Sequence, residues 1–268
     1  AGYVCTPLNP LYTGRELRHQ LNDSVAKAIF LVDNFAKALE EVVDDTKVET
    51  IVVSKVGDMM GLKGIVVNTL LQHVKKLIPD YNLDSAKHKV TAFPNVLKQG
   101  KKRPLKKVES NLEQTAFLQY TGGTTGLSKG AILTQRNIVA AALQSEAWSE
   151  PIVSKIGDEQ INMVLALPLY HIFAFMLSLV GVRSGNAFIL IPNPRDIPGF
   201  IKTLSKQPFH VLPAVNTLFK GLLDHPDFSK LDFSSLRMSQ AGGMAATEQT
   251  ASRWLQVTDC PMIEGWGM

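Results

Sequence analysis

The sequence predicts an α/β protein, with mostly parallel sheets flanked by helices in two lobes. Three observations carry that expectation. Short β-branched runs alternate with longer amphipathic segments along almost the whole chain, which is the pattern of strands joined by crossover helices. The 268 residues are enough to bury a sizeable core. Composition is that of an ordinary globular chain, 45% hydrophobic and 19% charged, which excludes disordered and fibrous classes.

Taken in order, residues 14–21 have a helical period that stops around Asn22 and Asp23. Residues 28–32 read as a strand, 34–43 as a helix and 50–56 as a strand, together a βαβ unit that lacks its beginning. Residues 57–110 are less regular and read as an excursion from the sheet. Within them 66–77 suits a helix ended by Pro79. A second alternation starts at Thr115. Strands are expected at 116–121, 130–133, 161–167, 187–191, 210–212, 236–240 and 261–263, and helices at 135–148, 172–182, 197–207, 216–223 and 245–255. The boundary between lobes is expected near residue 110, giving lobes 1–110 and 111–268.

Several function classes fall away on simple grounds. Cys5 and Cys260 stand at opposite ends, so there is no disulfide framework, and both read as small apolar residues in a reducing cytoplasm. The six histidines show no HxxxH or HxH spacing, so no structural zinc is expected. Residues 160–182 carry no Asp, Glu, Lys or Arg and are long enough to cross a bilayer, but Pro168 divides them into a buried strand and a buried helix. Net charge is +4. Lys98, Lys101, Lys102, Arg103, Lys106 and Lys107 form a basic run without an intervening acid, read first as a solvated loop and second as a contact for an anionic membrane surface. The run has no aromatic residue, so nucleic acid is not an expected partner. The chain opens Ala1-Gly2-Tyr3-Val4 without a secretory signal and stops in Gly267-Met268, and it reads as a piece of something longer.

The strongest chemical signal is the run from Tyr120 to Gly130. It holds Thr121, Gly122, Gly123, Thr124, Thr125, Gly126, Ser128 and Lys129 between a strand and an apolar run. Glycines let backbone N–H groups close on an anion where a Cβ would obstruct, and the hydroxyls and one ammonium add donors. A polyphosphate fits. The spacing is not that of a P-loop, since Ser128 precedes Lys129 and Gly130 follows it. A plain surface turn is the alternative.

This run resembles the phosphate-binding signature of the adenylate-forming superfamily, which includes acyl-CoA synthetases, luciferases and peptide-synthetase adenylation domains. Three more segments match in order. The stretch from Gly2 to Asp23, with Asn9-Pro10-Leu11-Tyr12-Thr13 and His19-Gln20-Leu21-Asn22-Asp23, is similar to bacterial long-chain fatty-acid–CoA ligases. Leu167-Pro168-Leu169-Tyr170-His171-Ile172-Phe173 resembles the family's motif at the acyl site. Ala241-Gly242-Gly243-Met244 and Glu264-Gly265-Trp266-Gly267-Met268 resemble its adenine-binding turn and the start of the motif that completes it.

The resemblance implies activation of a fatty acid by ATP to an acyl-adenylate, then transfer to CoA, with Mg²⁺ as cofactor. It assigns Thr121 to Gly126, Ser128 and Lys129 to the phosphates, with Thr125 and Lys129 catalytic. Gly242, Gly243, Met244, Glu264, Gly265, Trp266 and Gly267 go to adenine, His171 to the carboxylate and α-phosphate, and Phe175 to an aromatic gate for the acyl chain. Trp266 departs from the family's tyrosine, and a larger ring can still stack on a base. The family's magnesium-binding glutamate, ribose-binding aspartate and lysine-bearing small domain have no counterpart in these residues, so no metal ligand is expected within them and the isolated chain is expected to be inactive. The resemblance places the protein in the cytoplasm, peripheral at most, and leaves a homodimer open.

The apolar setting of His171 narrows the acid. Amino-acid substrates need a buried acid to pair their ammonium, and none stands between Gln160 and Val182, whereas Phe173, Phe175, Met176 and Leu177 suit an alkyl chain. Medium-chain, aryl-acid and luciferase-like ligases remain alternatives, and so does a non-catalytic nucleotide-binding module.

Overall fold

The computed structural model describes residues 2–83, 86–122 and 127–267. They form two compact units, 1–135 and 136–268. The boundary expected near residue 110 falls before a β-hairpin that belongs to the first unit.

In the first unit, helix α1 (Gly14–Asp23) starts at Thr13, whose hydroxyl accepts from the Glu16 N–H while the Glu16 carboxylate accepts from the Thr13 N–H at 2.8 Å. The T-x-x-E spacing is a capping box, and it satisfies two otherwise orphaned donors. Strand β1 (Ala28–Val32) follows. The helix expected over 34–43 is broken into a 3₁₀ turn, α2 (Ala36–Glu40) and a second 3₁₀ turn. Val42 leaves the helical region at φ −133° and turns with Val43 into the core, so burial of two β-branched side chains overrides the helical period. Strand β2 (Thr50–Ser54), α3 (Leu62–Thr69) with a π turn at Leu70–Val74, β3 (Lys89–Ala92) and α4 (Phe93–Gly100) complete a parallel sheet in the order β1-β2-β3.

Strand β3 and α4 correct the reading of 57–110 as an excursion. Four residues with Lys89 at one end carry too little hydrophobic pattern to be seen, and Pro94 marks the first turn of a helix. One face of the sheet packs Ile29, Ile51 and Val53 against Leu17, Leu21 and Leu39.

Strands β4 (Thr115–Thr121) and β5 (Lys129–Thr134) were expected to join a mostly parallel arrangement. They instead pair antiparallel as a two-stranded hairpin. Cys5 joins its edge, donating to the Ala116 carbonyl and accepting from Leu118. Cys5 is therefore exposed rather than buried, whereas Cys260 is a buried thiol raised in pKa by that burial.

Helix α5 (Gln135–Val153) leads into the second unit. There β6 (Asn162–Leu165), α6 (Ile172–Arg183), β7 (Ala187–Leu190), α7 (Ile197–Leu204), β8 (Val211–Ala214), α8 (Asn216–Leu223), β9 (Met238–Ala241), α9 (Glu248–Thr258) and β10 (Met262–Glu264) alternate as expected. The five strands are parallel, in the order β10-β9-β8-β6-β7. Trp254 is fully buried, edge-on to Phe219 at 4.6 Å, and its indole N–H donates to Ser239 Oγ at 2.9 Å. β6 ends at Leu165 and Pro168 opens the turn to α6, so the apolar stretch is a short sheet strand followed by a 12-residue helix. Among the described residues, no helix is long and apolar enough to cross a membrane.

Candidate active site

The first group of expected site residues lies on the β4–β5 hairpin. Across it Tyr120 pairs with Gly130, and Thr121 pairs with Lys129. Residues directly opposite in an antiparallel pair project from the same face, so the side chains of Thr121 and Lys129 leave one face where the hairpin opens. Both are exposed, as is Gly122, which has open space where a Cβ would be. Gly123, Thr124, Thr125 and Gly126 lie outside the described residues.

The shoulders of this loop are held from one helix. His19 Nε2 lies 2.8 Å from the Ser128 carbonyl oxygen, and since a carbonyl only accepts, Nε2 carries the proton. One turn along α1, Asp23 accepts from the Tyr120 hydroxyl at 2.5 Å. Burial and then the Asp23 carboxylate push the Tyr120 phenol well above its ordinary pKa. Gly130 is required here, because a Cβ would sit 2.9 Å from the Tyr120 ring. Neither His19 nor Asp23 is among the residues the sequence assigned to the site. Their i, i+4 spacing on a helix was the available signal.

The second group lies at the carboxyl ends of parallel strands in the other unit. β6 runs out to His171, β9 to Gly242, Gly243 and Met244, and β10 to Glu264, Gly265, Trp266 and Gly267. Strand order reverses between β6 and β8, since β7 lies on one side of β6 while β8, β9 and β10 continue on the other. In open α/β sheets ligands bind outside the carboxyl ends at that reversal.

His171 caps α6. Its Nδ1 accepts from the Phe173 N–H at 3.3 Å, which leaves the ring proton on Nε2, free to face an incoming oxygen. The Phe173 ring packs against Met163, Leu165, Leu177, Val211 and Met238, and it also fills the space beside Gly242, where a Cβ would lie 2.6 Å from the ring. Gly243 has φ +75°, a left-handed backbone that glycine adopts without strain. The Glu264 carboxylate accepts from the Ala246 N–H at 2.7 Å, and the Gly265 N–H donates to the Ala241 carbonyl at 2.7 Å, so the β10 end ties down the β9 turn. Met244 is half exposed, and Trp266, 89% exposed, is available for stacking. Phe175 is partly buried one turn after His171. Met268 lies outside the described residues.

A residue-built metal cage is not present: among the described residues, no cluster of three His, Cys, Asp or Glu side chains could hold an ion. Glu264 is the carboxylate of the β10 end, and it is engaged by Ala246. Magnesium usually keeps waters and substrate phosphates as most of its ligands, so the described side chains do not by themselves fit the ion.

The model of the AMP-binding enzyme family matches residues 1–268. The chain belongs to the AMP-binding enzyme family. Among curated relatives, the long-chain-fatty-acid–CoA ligase of Salmonella typhimurium is 46% identical over 270 residues, covering 100% of this chain and 47% of the relative. The protein of the same name from Haemophilus influenzae is 46% identical over 272 residues with the same coverage, and the one from Bacillus subtilis is 30% identical over 271. The chain thus spans about half the length of the curated relatives it matches. Among solved structures, an anthranilate CoA ligase in complex with anthranoyl-AMP matches at a TM-score of 0.76 with 20% identity, over 99% of this chain and 45% of that one. A long-chain-fatty-acid-CoA ligase from Archaeoglobus fulgidus matches at 0.67 with 23% identity, over 98% and 47%. At those identities the structural matches establish the family's fold.

Proposed function

We propose that this chain belongs to a long-chain fatty-acid–CoA ligase that activates its acid with ATP. The observation that carries the reading is the hairpin mouth, where Thr121 and Lys129 face each other beside Gly122. The names of relatives at 46% identity point to the same chemistry.

In the first step a carboxylate oxygen attacks the α-phosphorus. The new C(=O)O–P bond forms as the bond to pyrophosphate breaks, and the electron pair leaves with pyrophosphate. The acid is already ionised at neutral pH, so no strong base is needed. The need is for alignment and for donors on the departing charge. Thr121, Ser128 and Lys129, with Thr124 and Thr125, supply those donors. His171 directs Nε2–H at the carboxylate or α-phosphate oxygen. Magnesium, which these side chains do not hold by themselves, would come with the nucleotide and would supply positive charge.

In the second step the CoA sulfur attacks the acyl carbon, the bond to AMP breaks, and the thiol proton passes to solvent. The turn at Gly242, Gly243 and Met244, closed by Glu264 and Gly265, receives adenine, with Trp266 stacking on it. Phe175 borders the acyl chain.

A cytoplasmic protein that meets its fatty acid at an anionic membrane surface fits two surfaces of the first unit. The basic run from Lys98 to Lys107 is exposed throughout. Around α3, Leu62, Ile65, Val66 and Val74 are exposed together with Lys63, Lys75 and Lys76, and no acid occurs between Met59 and Pro79. Apolar side chains flanked by cations suit a headgroup region.

The test is acid-dependent exchange of labelled pyrophosphate into ATP by the protein that carries this chain, across fatty acids of increasing length and aryl and amino acids. Exchange rising with alkyl length is expected, and Lys129→Ala should lower it by about a hundredfold, as loss of a transition-state donor does. Exchange supported only by aryl or amino acids, or an undiminished Lys129→Ala variant, would overturn the reading. Flotation with anionic vesicles that weakens with salt tests the membrane contact; no flotation at low salt rejects it.

A further inference from the structure

We propose that α1 is a positioning strap for the phosphate loop, acting through His19 and Asp23 as a pair. This rests on the reading of the loop as the ATP phosphate site. The two side chains are four residues apart and so share one face of the helix. They grip opposite shoulders of the same loop. Asp23 takes the hydroxyl of Tyr120, the residue before Thr121, and His19 takes the carbonyl of Ser128, the residue before Lys129.

Thr121 and Lys129 are the two side chains at the hairpin mouth, so each is fixed by a neighbour bonded to α1. Gly130 completes the arrangement by leaving room for the Tyr120 ring, which directs the hydroxyl at Asp23. The helix itself is rigid at its start through the Thr13–Glu16 capping box and along its length through buried Leu17 and Leu21. A two-residue hairpin would need no such support. Holding Tyr120 and Ser128 in advance spares an incoming ligand the cost of ordering Thr121 and Lys129.

The strap touches no substrate, so its signature is a change in ATP binding without a change in the use of the acid. In the protein that carries this chain, His19→Ala and Asp23→Ala should each raise the KM for ATP about three- to tenfold, the worth of one hydrogen bond. The KM for fatty acid should stay constant. His19→Gln, which keeps a donor near Nε2, and Asp23→Asn, which keeps an acceptor, should recover part of the loss. Tyr120→Phe should match Asp23→Ala, and the pair Tyr120→Phe/Asp23→Ala should be no worse than either alone.

Hydrogen exchange provides the readout independent of activity. Peptides spanning 118–130 should exchange faster in His19→Ala and Asp23→Ala while peptides from β1, β2 and β3 keep their protection. Unchanged exchange at 118–130 with an unchanged KM for ATP overturns the proposal. So does an equal rise over β1, β2 and β3, which would mean that α1 merely holds the unit together. Lys129→Ala separates the two ideas. If it leaves ATP use intact while the strap variants loosen the loop, the strap stands and the functional reading falls. If it abolishes ATP use while the strap variants change neither quantity, the functional reading stands and the strap falls.

Discussion

Gly242 offers a test of how the second group of site residues is held. Replacing it by alanine would put a Cβ 2.6, 2.7 and 3.1 Å from three atoms of the Phe173 ring. Carbon contacts relax at about 3.5–4.0 Å, so the ring must retreat by about 1 Å. It has little room, because Phe173 also packs against the core cluster of Met163, Leu165, Leu177, Val211 and Met238. Overpacking of this kind costs about 1–3 kcal/mol. Against it stands the stiffer unfolded chain of an alanine, worth about 0.4–1 kcal/mol where the backbone tolerates one. Gly242 is not among the positive-φ glycines, so that offset applies and the clash still wins. The expected net loss is about 0.6–2 kcal/mol, or a thermal midpoint lowered by about 1–8 °C for a chain of this size. Differential scanning fluorimetry reads it. Phe173→Leu in the same protein should relieve the clash, making the double variant more stable than the sum of the two losses by about 0.5–3 kcal/mol. A Gly242→Ala protein as stable as the parent, or strictly additive losses, would refute the packing argument. The double variant also separates two reasons for the glycine: stability recovered without recovery of ATP use would mean that the turn needs the absent Cβ for a ligand as well as for Phe173.

Three further outcomes follow from individual contacts. Trp254→Phe removes the indole N–H that donates to Ser239 Oγ in the core and leaves that hydroxyl its contact with Cys260 Sγ; the lost hydrogen bond and volume should cost about 1–3 kcal/mol, read as a lower thermal midpoint. Glu264→Ala frees the Ala246 N–H and should speed hydrogen exchange over 242–248, whereas Glu264→Gln, which keeps an acceptor, should not. Asp33 is buried, and desolvation raises its carboxyl pKa despite Lys55 nearby. The folded state therefore holds this proton more tightly than the unfolded chain, and stability falls as pH rises from the ordinary aspartate value of about 4 through the raised one. Asp33→Asn should flatten that decline, and urea midpoints measured from pH 4 to 7 that fall equally in both proteins would exclude Asp33 as its source.

The legibility of this fold in its sequence followed the strength of each local pattern. Strand β1 and α8 were read at the residues where they occur, because each is bounded by unambiguous breaks and carries a full hydrophobic face. Strand β3 was missed since four residues beside two lysines give no period. The hairpin was read as two strands of a parallel series, because alternation says which segments are extended and nothing about which neighbour pairs with them. The loop was singled out by composition, glycine and hydroxyl residues around one lysine, and its role at phosphate stays a proposal, with 123–126 outside the described residues. What composition could not give was the mechanical support. His19 and Asp23 stand about a hundred residues from the loop, with separations of 109 to Ser128 and 97 to Tyr120.

The same distinction explains why glycines at a site cannot all be assigned to a ligand. Four of them here fall into three physical settings. Gly130 yields space to Tyr120, and Gly242 yields space to Phe173. Gly243 accepts a left-handed backbone. Among the described residues, Gly122 has neither a neighbour within reach of a Cβ nor a positive φ, so nothing in their packing requires it. A glycine that packing and backbone leave unexplained is the one whose missing side chain is most economically assigned to an incoming group. Gly122→Ala should accordingly leave the thermal midpoint within about 0.5 kcal/mol of the parent while weakening ATP use, and Gly130→Ala should do the reverse in proportion, losing stability first. If Gly122→Ala binds and uses ATP as the parent does, the backbone at the hairpin mouth makes no close approach to phosphate, and the donors there must be side chains alone.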